Sequence, residues 1–102
     1  MPTIEDAKSY CGIDVLDGMQ QANLQRALNT AESLVLGAVG KDVETYLPGD
    51  ARTTELILMY TDDLYSERGV SAKVSGATRR LAADMEQQLR LELAQAKEAQ
   101  AV

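Results

Sequence analysis

The chain has 102 residues, a formal net charge of −6, no histidine and a single cysteine. This length fits one domain spanning residues 1–102. Without histidine there is no histidine-based catalytic triad and no imidazole metal ligand. The single Cys11 excludes an internal disulfide and a cysteine-rich zinc site, and we expect it to be a small buried apolar residue. The acidic balance disfavours nucleic-acid binding through phosphate contacts.

The apolar content is 45%, but it includes neither tryptophan nor phenylalanine and much of it is alanine. Alanine buries little area, so a core of this kind contributes little hydrophobic free energy. We therefore expect the chain to gain part of its stability from neighbouring molecules. The amino terminus lacks the apolar core of a signal peptide, and no stretch is long enough to span a bilayer. We expect an intracellular protein with no membrane partner.

Two capping boxes predict the first two helices. Thr3 with Asp6 predicts a short helix from about Ile4 to Gly12, and Asp17 with Gln20 starts a long one that ends at Gly40. The long helix is amphipathic. Its predicted apolar side consists of Leu24, Ala27, Leu28, Ala31, Leu34, Val35 and Ala38.

Residues 41–50 alternate weakly before Pro48 and Gly49, which predicts a loop with room for a short extended piece. The central helix is predicted over residues 54–69, capped by Asp50 or Thr53 and ended by Gly69. At 100° per residue, the side chains of its apolar run, residues 56–60, point in almost every direction around the helix axis. This helix must therefore be covered on most sides.

Residues 70–76 show no helical pattern and are expected to be extended or irregular. The last helix is predicted over residues 77–99, and it could serve as an assembly arm. Its predicted apolar stripe is Ala82, Met85, Leu89, Leu93 and Ala96, widened by Leu81 and Leu91. The prediction is an all-α fold: a small bundle of about four helices, with two long antiparallel helices, a short amino-terminal helix and a long carboxyl-terminal helix.

Asp62, Asp63 and Glu67 gather on one side of the central helix. The plain interpretation is a solvated acidic face. The alternative is an assembly surface that meets a neighbour's arginines or lines an acidic channel. A metal site is the least favoured, since neither histidine nor a carboxylate motif on another helix supports it. We predict no catalytic residue, no metal site and no cofactor.

Arg79 and Arg80 lie in the first turn of the last helix, where the helix dipole disfavours cations. One explanation is that Arg80 pairs with Asp84 four residues later, while Arg79 is solvated. The other is that both arginines reach carboxylates on another subunit. Residues 41–69 carry a net charge of −4 (three basic, seven acidic) and residues 70–102 a net charge of +1 (five basic, four acidic). Opposed patches of this kind suit head-to-tail contacts between copies.

Three segments in this order resemble the head-tail connectors, small adaptor proteins of long-tailed double-stranded DNA phages. The segments are TIEDAKSYCGID, ALNTAESLVLGAVGK and ILMYTDDLYSERG. The resemblance covers residues 3–69, and its specific points are Ile13 with Asp14, residues 31–41, and Tyr65 with Arg68. The last third of the chain matches poorly.

The resemblance implies a structural virion protein without enzymatic activity. Connectors of this family form a ring of about a dozen copies beneath the portal, extend the DNA channel and provide the docking surface for the tail or a stopper protein. The resemblance also implies that Tyr65 and Arg68 position the third helix. The expected location is the host cytoplasm during assembly and then the head-tail interface of the virion. DNA would pass through the channel without specific binding, because an acidic wall does not hold it.

A small dimeric helical module, acting in regulation or interaction in a phage or prophage, shares the same helices and charge. The oligomeric state distinguishes the connector from the dimeric module, since closed rings indicate a connector. A dimer that persists in the presence of portal indicates the module.

Overall fold

The structure is a computed structural model that describes residues 1–15, 17–66 and 76–100, and for residues 66 and 76–79 it describes the backbone alone. These ranges contain helices and no strand, so the predicted all-α bundle is confirmed. The helices are α1 (Ile4–Cys11), α2 (Gly18–Val39), α3 (Val43–Tyr46), α4 (Ala51–Ser66) and α5 (Gly76–Gln100).

Both predicted capping boxes are present. The Thr3 hydroxyl accepts from the Asp6 N–H at 3.2 Å, and the Asp6 carboxylate accepts from the Thr3 N–H at 2.8 Å. Asp17 and Gln20 exchange the same pair of bonds at 2.7 and 3.2 Å. Gly12 ends α1 with φ +70°, a left-handed conformation that suits glycine. The starts of α1 and α2 are therefore set by local hydrogen bonds.

The apolar face of α2 is narrower than predicted. Its buried residues are Leu24, Ala27, Leu28, Ala31, Val35 and Val39. Leu34, predicted on the apolar side, is 52% exposed, while Val39 is buried and was missed. Leu34 precedes the buried Val35 by one residue, or 100°, and this places it at the edge of the face that packs on the bundle.

Helix α4 is the most enclosed element. Leu56, Ile57 and Leu58 are buried and Met59 and Tyr60 are half-buried, as the continuous apolar run predicts. In the described residues α4 packs mainly on α2, and it also contacts α1 and α5.

The start of α4 differs from the prediction by one turn. The Asp50 carboxylate accepts the Arg52 N–H at 2.9 Å, so Asp50 caps a helix that begins at Ala51. Thr53 lies inside the helix and is buried, so the alternative cap at Thr53 is wrong. The predicted end at Gly69 lies outside the described residues.

Residues 41–50 hold a one-turn helix, α3, where a loop with a short extended piece was predicted. The Leu47 N–H donates to the Val43 carbonyl at 2.7 Å, which closes the turn. Val43 is fully buried in the main core cluster, and this tertiary contact overrides the weak alternation of the sequence.

Helix α5 begins and ends within a residue of the prediction. Ala82, Leu89 and Leu93 are buried as expected, but Leu81 and Leu91 are 55% and 59% exposed and do not widen the stripe. The helix lies on the bundle along one narrow line, and these two leucines point away from it. The predicted irregular segment, apart from Gly76 in α5, lies outside the described residues.

The core has two parts. The main cluster joins α2, α3, α4 and α5, and its buried members are Leu28, Ala31, Val35, Val39, Val43, Leu56, Ile57, Ala82, Leu89 and Leu93. A smaller cluster of Ala7, Leu24 and Leu58 joins α1, α2 and α4. Where α2 ends, a Cβ on Gly40 would lie 2.6 Å from Leu93 Cδ2, so the absence of a side chain there lets α5 approach.

Two leucines of α5 provide a matched test of this packing. Leu89→Ala removes a fully buried side chain and should lower the free energy of unfolding by about 2–5 kcal/mol. Leu91→Ala, two residues away and 59% exposed, should change it by no more than about 0.5 kcal/mol. Urea unfolding followed by circular dichroism measures both. Equal losses in the two variants would contradict the orientation of α5.

Candidate functional site

The structure describes two of the three residues of the acidic group predicted on the central helix. Asp62 and Asp63 lie on α4 and are half-buried, while Glu67 lies outside the described residues. Asp62 is close to the half-buried Cys11 of α1. Burial and the nearby Asp62 carboxylate raise the pKa of the Cys11 thiol to about 12. Asp62 is thus engaged with α1, and the plain interpretation of a fully solvated acidic face is wrong at this residue.

The two arginines predicted as a site lie at the start of α5. Arg80 is exposed, as is Asp84, and the ion pair predicted between them is not formed. An exposed pair gains little Coulomb energy and loses side-chain entropy, so solvation of both groups competes well. The backbone of Arg79 is helical, and its side chain lies outside the described part of the chain.

The resemblance implies that Tyr65 and Arg68 position the third helix, and the structure describes one of these two residues. Tyr65 is half-buried and packs against the smaller core cluster of Ala7, Leu24 and Leu58. Arg68 lies outside the described residues. Tyr65 therefore links the later part of α4 to α1 and α2 by apolar contact.

Within residues 1–15, 17–66 and 76–100, no three His, Cys, Asp or Glu side chains are grouped so that they could hold a metal ion. In the same residues no helix combines the length and the apolar character needed to cross a bilayer.

A cluster that sequence reasoning missed lies beneath the second half of α5. The Arg52 guanidinium donates to the Asp50 carboxylate at 2.8 and 3.0 Å. It also donates to both Glu92 oxygens, at 3.0 Å for Nη2 to Oε1, and reaches Gln88 Oε1 at 3.5 Å. One arginine therefore ties the start of α4 to α5.

A second ion pair lies farther along α5. Lys97 Nζ is 2.6 Å from the Asp42 carboxylate at the start of α3, and it sits 6.0 Å from the centre of the Tyr46 ring. We call Asp42, Asp50, Arg52, Glu92 and Lys97 together the α5 ion cluster.

Two further polar contacts join α5 to the long helices. Arg90 Nη1 donates to the Ala38 carbonyl of α2 at 3.2 Å, and the Tyr60 hydroxyl of α4 donates to Glu86. Burial and Glu86 together raise the pKa of Tyr60 to about 12. Together with the α5 ion cluster, these bonds give α5 polar contacts with α2, α3 and α4.

The charged partners shift the pKa of the carboxyl groups in the α5 ion cluster. Hydrogen bonds from Arg52 lower the pKa of Asp50 and of Glu92, and the hydrogen bond from Lys97 lowers the pKa of Asp42. The same bonds to Glu92 and Asp50 raise the pKa of Arg52. Each carboxyl group is therefore held in its charged form by its partner.

These contacts could not be found from sequence spacing. Arg52 and Glu92 are 40 residues apart, so their pairing depends on how α5 lies against α4. The adjacent signal was Asp50 with Arg52, an acid and a base two residues apart at a helix start. At a helix start Asp50 is explained equally well as a cap, so this signal does not indicate the contact of Arg52 with α5.

No protein-family model, curated protein or solved structure matches this chain. The resemblance to the phage connectors therefore rests on the order of three sequence segments within residues 3–69.

Cys11 should react slowly in the folded chain. With its pKa raised to about 12, little thiolate exists at pH 8, and the thiolate is the reactive form. We expect labelling by N-ethylmaleimide to be at least about tenfold slower than in the urea-unfolded chain at the same pH. Asp62→Asn, which removes the neighbouring carboxylate, should speed labelling of the folded protein. Equal rates in folded and unfolded wild-type chain would contradict this environment for Cys11.

Proposed function

We propose that the chain is a structural virion protein, a head-tail connector. In this role it forms a ring under the portal, extends the DNA channel and provides the docking surface for the tail or a stopper protein. The order of α1, α2 and α4 supports the proposal, because these helices correspond to the three connector-like segments within residues 3–69.

The observation that carries the proposal is the state of Arg80. It is an exposed cation at the fifth residue of a 25-residue helix, just past the first turn and near the positive end of the helix dipole, and it forms no ion pair with Asp84 or Asp63 in the described structure. A carboxylate on a neighbouring subunit would supply an ion-pair partner. We assign this contact to the carboxyl-terminal part of α4, where the Asp63 carboxylate lies half-buried.

Charge and exposed apolar surface also support assembly. A contact between a basic helix start and an acidic helix end joins two different surfaces, so it repeats head to tail and closes into a ring where the rotation permits. Five large apolar side chains are more than half exposed: Val15, Met19, Leu34, Leu81 and Leu91. Contacts between copies would bury part of this apolar area.

The proposed partners are other copies of the chain, about a dozen per ring, the portal, and a tail-completion or stopper protein. The net charge of −6 suits a channel wall that DNA passes without specific binding. The proposed location is the host cytoplasm during assembly and the head-tail interface of the finished virion.

A dimeric helical module is the second candidate. It is favoured by Leu81 and Leu91, which expose apolar surface on the outer side of a single helix. Such a surface suits pairing between α5 helices of two copies. Native mass in the presence of portal distinguishes this candidate from the connector.

Reversal of charge at the start of α5 tests the ring. The double variant Arg79→Glu with Arg80→Glu should abolish rings on portal, because two repulsive charges would replace the attractive contacts. Negative-stain electron microscopy and sedimentation measure assembly, and circular dichroism should show unchanged helicity. Arg26→Glu, an exposed arginine on α2, is the matched control for Arg80→Glu and should assemble normally.

Two results would contradict the proposal. Rings from the double variant at the wild-type yield would remove the arginines from the interface. A wild-type dimer that stays a dimer with portal present would favour the interaction module instead.

A further inference from the structure

We propose that the α5 ion cluster is an electrostatic latch that holds the second half of α5 on the bundle. Acid or high salt releases this half of the helix while α1, α2 and α4 stay folded. The latch acts within one chain, so its test needs no other protein, and its outcome is separate from that of the ring experiment.

The apolar contact of α5 is small for its length. Among the described side chains of α5, those of residues 80–100, the buried ones are Ala82, Leu89 and Leu93, whereas α2 buries six side chains over 22 residues. From residue 94 to residue 100 every described side chain is exposed or half-buried. Hydrophobic burial alone therefore holds the end of α5 weakly.

Polar contacts begin beside the last buried leucines of α5, Leu89 and Leu93, and continue past them toward the end of the helix. Glu92 binds Arg52 at the start of α4, and Lys97 binds Asp42 at the start of α3. Arg90 adds its bond to the carbonyl of Ala38. These three anchors fall within eight residues of α5 and reach three different elements, so they fix its direction as well as its position.

Solvent reaches the outer members of the ion pairs, whereas the side chains of Arg52 and Asp50 are 27% and 18% exposed. The side chains of Glu92 and Lys97 are 46% and 44% exposed, and that of Asp42 is 39% exposed. Dissolved salt screens such pairs and protons reach their carboxylates freely. The latch therefore responds to solution conditions, unlike the buried leucines.

The remaining helices have contacts that do not involve α5. The smaller core cluster joins α1, α2 and α4 through Ala7, Leu24 and Leu58 without any residue of α5. The most extensive helix contact in the chain is that between α2 and α4. This is why we expect α5 to separate first, as one local unit of opening.

The direction of the pH effect follows from the lowered pKa of Asp42, Asp50 and Glu92. Groups of this kind stabilise the folded form fully above their unfolded values of about 3.9–4.3, and the stabilisation is lost as the pH falls through the lower folded values. Arg52, whose pKa is raised, keeps its charge throughout this range.

Other charged groups face the same region from the packed elements. Glu44 of α3 accepts the Gly49 N–H at 3.3 Å, Glu86 of α5 accepts from Tyr60, and Arg90 lies against α2. Asp50 also opposes the charge of Glu92 and raises its pKa, but the effect of Arg52 is larger. The latch therefore depends on the attraction of Arg52 and Lys97 for the three carboxylates of the α5 ion cluster, reduced by the repulsion between those carboxylates.

Hydrogen exchange measured by mass spectrometry on the full chain tests the latch. At pH 7, Glu92→Gln combined with Asp42→Asn should speed amide exchange in residues 89–100 at least about tenfold, with exchange in α2 and α4 unchanged. Glu98→Gln removes one carboxylate charge from an exposed position on the same helix and is the matched control for the Glu92→Gln half of the double variant. Its exchange should equal that of wild type.

The wild-type chain provides a second measurement that needs no substitution. Raising NaCl from about 0.1 M to 1 M should speed exchange in residues 89–100 selectively, because the Debye length falls from about 10 Å to 3 Å. The proposal is overturned if α5, α2 and α4 lose protection together. It is equally overturned if the double variant exchanges like wild type, or if Glu98→Gln matches the double variant.

Discussion

The fold depends on the burial of α4 against α2. Leu56 and Ile57 of α4 are fully buried, and α2 presents the small side chains of Ala27 and Ala31, which lets the two axes approach. Even the threonines of α4 are enclosed. Thr61 donates to the Ile57 carbonyl at 2.6 Å, whereas the Thr53 hydroxyl has no partner within the described structure. An unpaired buried hydroxyl costs about 1–3 kcal/mol, which the surrounding apolar contact must offset.

The other helices are attached to this pair by different physical means. α1 is held by local caps and by one small apolar cluster. α3 is a single turn positioned by the buried Val43. α5 combines a narrow line of leucines with charged contacts at its second half. Because solvent reaches those charges, the attachment of α5 depends on salt and pH to a degree that the packing of α2 on α4 does not.

Local sequence signals predicted most of the helices, but they could not predict which side chains are buried or paired between helices. Thr3 and Asp17 start helices through bonds to residues three positions on, so the sequence alone is sufficient there. Periodicity placed Leu89 in the apolar stripe of α5, but whether the stripe is wide enough to bury Leu91 depends on how closely the bundle surrounds the helix. The pairing of Arg52 with Glu92 depends on the arrangement of two helices far apart in the chain. The burial of Val43 has the same origin, and it turned an expected loop into a helical turn.

The proposed ring and the proposed latch assign different tasks to the two ends of α5. Near its start the helix carries Arg80, an exposed cation without an ion-pair partner in the described chain, which suits contact with another copy. Its second half carries Glu92 and Lys97, whose charges are already satisfied within the chain. A helix tied down at one end can present the other end in a defined direction, since an ordered surface loses less entropy when it binds. The internal ion pairs would then serve assembly indirectly, by keeping Arg80 where a neighbour's carboxylates can reach it.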